Sequence, residues 1–218
     1  MKLDASDLAG MDRRYRAAFV NCLSGFKAAN LVGTREPGGD CNLAIMSSAV
    51  HLGSHPPLLA LVMRPDDAGQ HTLANILASG YYTVNHVGEA FFAAAHQTAA
   101  RYPREVSEFA EVGLTALFDG DFPAPFVAES SIRMGLELRE HQRLAINGTN
   151  LIIGEVVTVE LPQETVGADG SVDIAAAGTV TLSGLDTYYA VHTPVSYTHL
   201  RAHETLGSIS YAVFCLKM

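Results

Sequence analysis

The sequence has no long apolar run and no cluster of basic residues, and these absences exclude several classes of protein. No apolar stretch approaches the roughly 20 residues that a helix needs to cross a bilayer. The N-terminus, MKLDASDLAGMDRRYRAAF, lacks the apolar region of a secretory signal. The net charge is −9, so binding to nucleic acid or to an anionic membrane surface is not expected.

Cysteine is also scarce. The three thiols, Cys22, Cys41 and Cys215, have neither CxxC spacing nor the spacing of metal ligands. Because nothing suggests a disulfide framework, we expect a protein of the reducing cytoplasm. His51 and His55 form an HLGSH segment beside a Pro-Pro turn. No carboxylate or thiol follows at the spacing of a metal ligand, so no metal site is predicted.

Several common catalytic motifs are missing. There is no GxGxxG or P-loop for a Rossmann or NTPase site, and no GxSxG elbow for a hydrolase. The 218 residues are 48% hydrophobic and 17% charged, which is typical of a folded protein with one sizeable core.

Short apolar stretches between turn signals predict a mainly β chain with peripheral helices. The predicted strands cover 28–34, 42–48, 58–63, 81–87, 132–140, 151–161 and finally 179–182, and the predicted helices cover 12–23, 72–78 and 90–101. The run 58–63 is continuously apolar, as in a strand covered on both faces. Thr72 is a candidate helix cap, and Gly80 a helix stop. Hairpin turns such as Asn147-Gly148 favour a closed or partly closed β-barrel in one domain.

Two blocks place small polar residues at the ends of these strands. The first is GDCNLAIMSSAVHLGSHPPLLALVMRP (39–65), and the second is HTLANILASGYYTVNHV (71–87). Amide and hydroxyl groups at strand ends can hold a flat heterocycle by hydrogen bonds. On this chemistry alone, the simpler alternative is that Ser47 and Ser48 end a strand and that Asn42 serves a turn.

A cation and a helix start follow in the same blocks. Arg64 ends an apolar strand, and Thr72 opens the next predicted helix directly after His71. A guanidinium, a hydroxyl and a helix N-terminus make a suitable cradle for a phosphate. The alternatives are a solvated strand end for Arg64 and a simple helix cap for Thr72.

In this order, the two blocks resemble the flavin reductase-like family of FMN-binding split β-barrels. The resemblance covers nearly all of residues 11–193 and is carried by NLAIMSS (42–48), SHPP (54–57), HTLANI (71–76) and TVNHV (83–87). It implies a cofactor site for FMN built from Asn42, Ala44, Ser47, Ser48, Arg64, His71, Thr72 and Asn85. The first four would line the ring and the ribityl chain, and Arg64, His71 and Thr72 would hold the phosphate.

The resemblance also implies a reaction, in which a hydride passes from NADH or NADPH to the flavin. No acid–base residue is needed for this chemistry, because the cofactor performs the difficult step. His96, on the predicted helix 90–101, is a candidate nicotinamide contact, although a lone histidine there also suits a structural role. Cys41 lies next to Asn42 and suits a small apolar contact better than a catalytic one.

Two other functions are compatible with the same fold, because fold does not determine function. One is an electron carrier that holds FMN without reducing free flavin, and the other is a non-enzymatic ligand-binding module. The family resemblance further implies a homodimer and an electron acceptor, such as a partner oxygenase.

The C-terminal segment differs in character from the rest. We predict a flavin reductase-like domain over 1–193 and a non-native tail over 194–218. Within that tail, SYTHLRAHET (196–205) resembles the translated read-through of a sequencing adapter. The alternative is a genuine short C-terminal helix or strand.

Overall fold

Strands dominate the computed structural model, which describes residues 1–65 and 71–191. The strands are β1 (Lys27–Ala28), β2 (Asn30–Arg35), β3 (Cys41–Met46), β4 (Ala49–Ser54), β5 (Pro57–Met63), β6 (Tyr81–His86), β7 (Ala116–Leu117), β8 (Phe126–Val127), β9 (Arg133–Arg143), β10 (Asn150–Glu160), β11 (Val180–Ser183) and β12 (Thr187–Ala190). The helices are α1 (Ala5–Gly10), α2 (Arg13–Leu23), α3 (His71–Ser79), α4 (Phe92–Gln97) and α5 (Glu108–Val112), with a 3-10 turn at Gln163–Thr165. The predicted mainly β chain with peripheral helices is therefore confirmed. The predicted tail, 194–218, lies outside the described residues.

Seven strands form one antiparallel sheet in the order β3-β2-β6-β9-β10-β5-β4. Its two edge strands, β3 and β4, are consecutive in the chain, with only Ser47 and Ser48 between them. Because two residues bridge no more than about 11 Å between flanking Cα atoms, the sheet must curl until its edges approach each other. No ladder joins β3 to β4 in the described part of the chain, so the barrel is split at this point.

The core consists of two clusters on opposite faces of this sheet. The inner cluster fills the barrel beneath α3 with Val32, Leu61, Met63, Leu73, Ile76, Tyr82, Val84, Leu136 and Ile152. The outer cluster packs α4, α5 and the smaller strands with Ala29, Leu31, Leu43, Val87, Ala95, Phe109, Leu114, Val127, Val180 and Leu182. Leu31 and Val32 are neighbours on β2 and enter different clusters, as the two-residue period of a strand requires.

Several predicted elements differ from the observed ones. Strand β4 was not predicted, because a bulge between His51 and Gly53 and the exposure of most of its residues hide the alternation. The segment 179–182 is not the last strand, since β12 pairs with β11 beyond it. Helix α4 is shorter than the predicted 90–101 and ends at Gln97.

Asp12, predicted as the first residue of a helix, instead precedes it, while Gly80 ends a helix as predicted. Asp12 caps α2 by accepting hydrogen bonds from the Arg14 and Tyr15 backbone amides. Gly80 ends α3 with a φ of 76°. None of the helices in residues 1–65 and 71–191 is long and apolar enough to cross a membrane.

Candidate functional site

The split between β3 and β4 is occupied by Ser47 and Ser48, which are both half-buried. The Ser48 carbonyl accepts a hydrogen bond of 2.9 Å from the Val62 amide, which ties this segment to the end of β5. Neither serine hydroxyl has a hydrogen-bond partner among the described residues. Arg64 follows Val62 by two residues and is exposed, and its guanidinium makes no ion pair within the described ranges. The structure therefore brings Ser47, Ser48 and Arg64 to one end of the split.

The neighbouring edge of β3 is already covered by protein groups. The Leu43 amide donates to Glu108 Oε2 at 2.9 Å, and the Ile45 amide donates to Thr98 Oγ1 at 2.9 Å. Sequence reasoning missed both partners, because each is more than 50 residues away in the chain. A ligand lying along β3 cannot use these two amides, whereas the hydroxyls of Ser47 and Ser48 have no partner among the described residues.

The opposite end of β3 belongs to a buried polar cluster. Asn42 is 8% exposed and donates through Nδ2 to Thr34 Oγ1 at 3.2 Å and to Thr72 Oγ1 at 3.0 Å. Asn75 donates to the same Thr34 oxygen at 3.3 Å. Helix α3 begins at His71, so the predicted capping role of Thr72 is wrong. The Thr72 hydroxyl accepts from Asn42 within this cluster, and its contact with a phosphate stays a prediction.

A small cleft opens beside this cluster. Its lining residues are Glu36, Asp40, Cys41, Asn42, His71, Asn75, Arg104 and Val106. Arg104 makes a two-point ion pair with Glu36, with Nη2–Oε1 at 2.9 Å and Nε–Oε2 at 3.2 Å. Partial burial raises the pKa of the Cys41 thiol, which favours its neutral form. The cleft thus brings two predicted site residues, Asn42 and His71, close to Arg104, a cation that the sequence analysis did not single out.

The two ends of the candidate site are separated by the length of β3. Ser47 lies five residues beyond Asn42, which corresponds to about 16 Å along a strand. Ala44 lies between them, half-buried and paired with Val32. Only an elongated ligand that follows β3 can contact both ends.

Asn85 is placed away from both ends. It is fully buried, and Nδ2 donates to the Leu31 carbonyl at 3.0 Å and to Thr83 Oγ1 at 2.8 Å. Its Oδ1 accepts a hydrogen bond of 3.0 Å from the Val127 amide. Since neither amide hydrogen is free, Asn85 joins β2, β6 and β8 rather than facing a ligand, and its predicted cofactor contact is not supported by its position.

His96 lies on the exposed face of α4, also outside the two ends. Its Nδ1 is 3.0 Å from the Tyr188 hydroxyl, and the two rings meet edge to face with centroids 5.7 Å apart. Phe92 packs against the same tyrosine, with ring centroids 5.4 Å apart. Burial and nearby Asp186 raise the pKa of Tyr188, so its hydroxyl keeps its proton. His96 therefore links α4 to β12 and leaves Nε2 for other contacts.

No group of three His, Cys, Asp or Glu side chains is placed to bind a metal ion within residues 1–65 and 71–191.

Comparison with known proteins identifies the family to which the chain belongs. The profile of the flavin reductase like domain matches residues 26–175, well over half of the chain. The chain belongs to the flavin reductase-like family.

A solved structure of a similar protein shares this fold over most of its length. A split-barrel protein from Shewanella frigidimarina, assigned as a flavin reductase, is 45% identical to this chain. The two structures superpose with a TM-score of 0.87, and the match covers 90% of this chain and 98% of the Shewanella chain. The predicted family and its split-barrel fold are therefore confirmed.

Two more distant structures show the same fold. Nitrilotriacetate monooxygenase component B from Bacillus cereus is 20% identical, with a TM-score of 0.79, over 90% of this chain and 98% of its own. Flavoredoxin from Desulfovibrio vulgaris is 22% identical, with a TM-score of 0.71, over 92% of this chain and 99% of its own.

Proposed function

We propose that this protein binds FMN and transfers a hydride from NADH or NADPH to flavin. The observation that carries the proposal is that Ser47, Ser48 and Arg64 meet at one end of the split, where neither serine hydroxyl has a hydrogen-bond partner and the guanidinium has no ion pair among residues 1–65 and 71–191. These groups lie at the split of a barrel that belongs to the flavin reductase-like family.

The donor set at the split fits FMN. Hydroxyls both donate and accept, which suits the mixed donor and acceptor edge of the flavin ring. A guanidinium suits the phosphate, because it can form charge-assisted hydrogen bonds in pairs. When bound, FMN supplies the ring that accepts the hydride. The protein residues need only hold and orient the two reactants and restrict water.

The other candidates take supporting roles in this proposal. Ala44 offers a small surface along β3. Asn42 can reach the ligand only through Oδ1, since both of its amide hydrogens are bonded to Thr34 and Thr72, and His71 lines the cleft beside it. His96 contacts the nicotinamide through Nε2, since Nδ1 faces Tyr188. Asn85 is not included, because the protein itself occupies its oxygen and both of its amide hydrogens. Thr72 accepts from Asn42 and keeps its own hydroxyl hydrogen to donate to a ligand.

A homodimer is part of the proposal. The apolar run 58–63 predicts a strand covered on both faces, yet Val62 on the outer face of β5 is 41% exposed. Val50 on β4 is 50% exposed and lies on the same outer face. A second copy would cover these side chains, and light scattering of the purified protein measures the oligomeric state. A monomer at micromolar concentration would contradict this part of the proposal.

An anaerobic titration tests the central claim. The purified full chain is mixed with FMN, and NADH or NADPH is then added while the flavin absorption is recorded. Loss of the oxidised-flavin band supports the reductase and identifies the preferred nucleotide. Binding without bleaching would favour an electron carrier, with the oxygenase or another acceptor as its partner. Failure of the folded protein to bind flavin would overturn the proposal.

Removing the split hydroxyls gives a more local test. We expect Ser47→Ala and Ser48→Ala each to weaken FMN binding about tenfold, because each removes a hydrogen bond worth about 1.4 kcal/mol in a partly dry site. Fluorescence titration of FMN measures the effect. Ser54→Ala, at the exposed end of β4, is the matched control and should bind as tightly as the wild type. Equal affinities in all variants would remove Ser47 and Ser48 from the site.

The proposed nicotinamide contact has its own kinetic signature. We expect His96→Leu to raise KM for the nicotinamide nucleotide several-fold while the Kd for FMN stays constant, because His96 is bonded to Tyr188 and to none of the proposed flavin contacts. Tyr188→Phe leaves the imidazole in place and should change KM less. If both variants lower only the melting temperature, the role of His96 is confined to joining α4 and β12.

A further inference from the structure

The backbone at Arg64 is held by a side chain from another strand. Asn150, the first residue of β10, is fully buried, and its Nδ2 donates to the Arg64 carbonyl at 3.2 Å. The β5–β10 ladder ends with Met63 opposite Asn150, so among the described residues no ladder bond to β10 holds Arg64 itself. The next residue, Pro65, has no amide hydrogen with which to extend the ladder.

A second residue fixes the orientation of this amide. His141 Nε2 lies 2.8 Å from Asn150 Oδ1. Because Nδ2 is directed to the Arg64 carbonyl, Oδ1 must accept, and His141 Nε2 therefore carries a proton. His141 is exposed on β9, so this end of the chain of hydrogen bonds is open to solvent. The connection runs from His141 through the oxygen and then the nitrogen of the Asn150 amide to the Arg64 carbonyl.

We propose that Asn150 and His141 are positioning residues for the flavin phosphate. They fix the point at which the chain leaves β5, and thereby the place from which the Arg64 guanidinium reaches the ligand. This inference rests on the proposed function, in which Arg64 contacts the phosphate. It predicts an effect on ligands that carry a phosphate and none on those that lack it.

The test compares FMN with riboflavin, which has the same ring without the phosphate. We expect Asn150→Ala and His141→Leu each to weaken FMN binding several-fold to about tenfold and to leave riboflavin binding unchanged. Arg64→Gln provides the reference loss for the phosphate contact. The double variant should bind FMN no more weakly than Asn150→Ala alone, because the two residues act through one chain of bonds.

Two further variants separate positioning from general stability. His141→Gln keeps an N–H donor and should recover most of the FMN affinity. His51→Leu, an exposed histidine on β4, is the matched control and should have no effect. If Asn150→Ala does not fold, His141→Leu still decides the question, because its side chain is exposed.

The outcomes distinguish this inference from the proposed function. An unchanged ratio of FMN to riboflavin affinity in the His141 and Asn150 variants, with a lower melting temperature, would overturn the positioning role alone. A fall in the ratio of FMN to riboflavin affinity in Arg64→Gln, but in neither the His141 nor the Asn150 variants, would also overturn the positioning role. If the folded wild type bound neither flavin, the proposed function would fail, and this inference would fall with it.

Discussion

Replacement of Gly154 by alanine is expected to lower the free energy of unfolding by about 3 kcal/mol, because overpacking a barrel interior forces backbone and side chains apart. A Cβ at this position would meet the Tyr82 hydroxyl and would lie only 2.8 Å from the Tyr82 Cζ atom. Tyr82 is fully buried among the inner cluster, so its ring can yield only by displacing its neighbours. Urea unfolding followed by fluorescence or circular dichroism measures the loss.

The contact between position 154 and Tyr82 can also be tested by changing the tyrosine. The Tyr82 hydroxyl is buried without a hydrogen-bond partner in the described residues, and burial raises its pKa. Tyr82→Phe is therefore expected to be neutral or stabilising by about 1 kcal/mol. In Gly154→Ala it should recover part of the loss, since the nearest clashing atom is gone. Gly10→Ala has open space around it and should change little. A Gly154→Ala variant as stable as wild type would contradict the tight packing of β6 against β10.

Local patterns predicted the long hairpin that contains Gly154. The alternation in 132–140, the Asn147-Gly148 turn and the apolar run that follows specify both strands and their order. A glycine inside such a run signals a close approach of another group. It does not say which group, because Tyr82 lies on β6, two strands away across β9. Pairing between distant segments is what the sequence alone does not reveal.

The candidate site shows the same limit. The Ser47–Ser48 pair stands out in sequence as a polar break between apolar stretches, and the structure leaves both hydroxyls without partners among the described residues. Thr72 and Asn85 have the same polar character but satisfy buried groups of the protein. Asn150 and Glu108 were not singled out, because their partners are 86 and 65 residues away. Residue type therefore indicates polar chemistry, while burial decides whether the protein or a ligand uses it.

Asn85 offers the sharpest case, and Asn85→Ala is expected to lower the free energy of unfolding by about 3 kcal/mol, because a buried amide left unpaired costs about 1–3 kcal/mol and each further buried hydrogen bond that is lost costs about 1 kcal/mol. The substitution leaves the Leu31 carbonyl and the Val127 amide without their side-chain partner. Asn85→Asp should also destabilise, since it keeps the acceptor for Val127 but buries a charge. Urea unfolding measures both losses.

Flavin affinity separates this structural role from the cofactor contact that the family resemblance implies. At a temperature where Asn85→Ala remains folded, its Kd for FMN should equal that of the wild type, because the amide faces β2 and β8 rather than the split. Asn147→Ala, on the exposed turn between β9 and β10, is the control and should lose far less stability. A tenfold weaker FMN complex at unchanged stability would return Asn85 to the cofactor site. A large loss of stability at unchanged affinity would instead make it the residue that joins three strands behind that site.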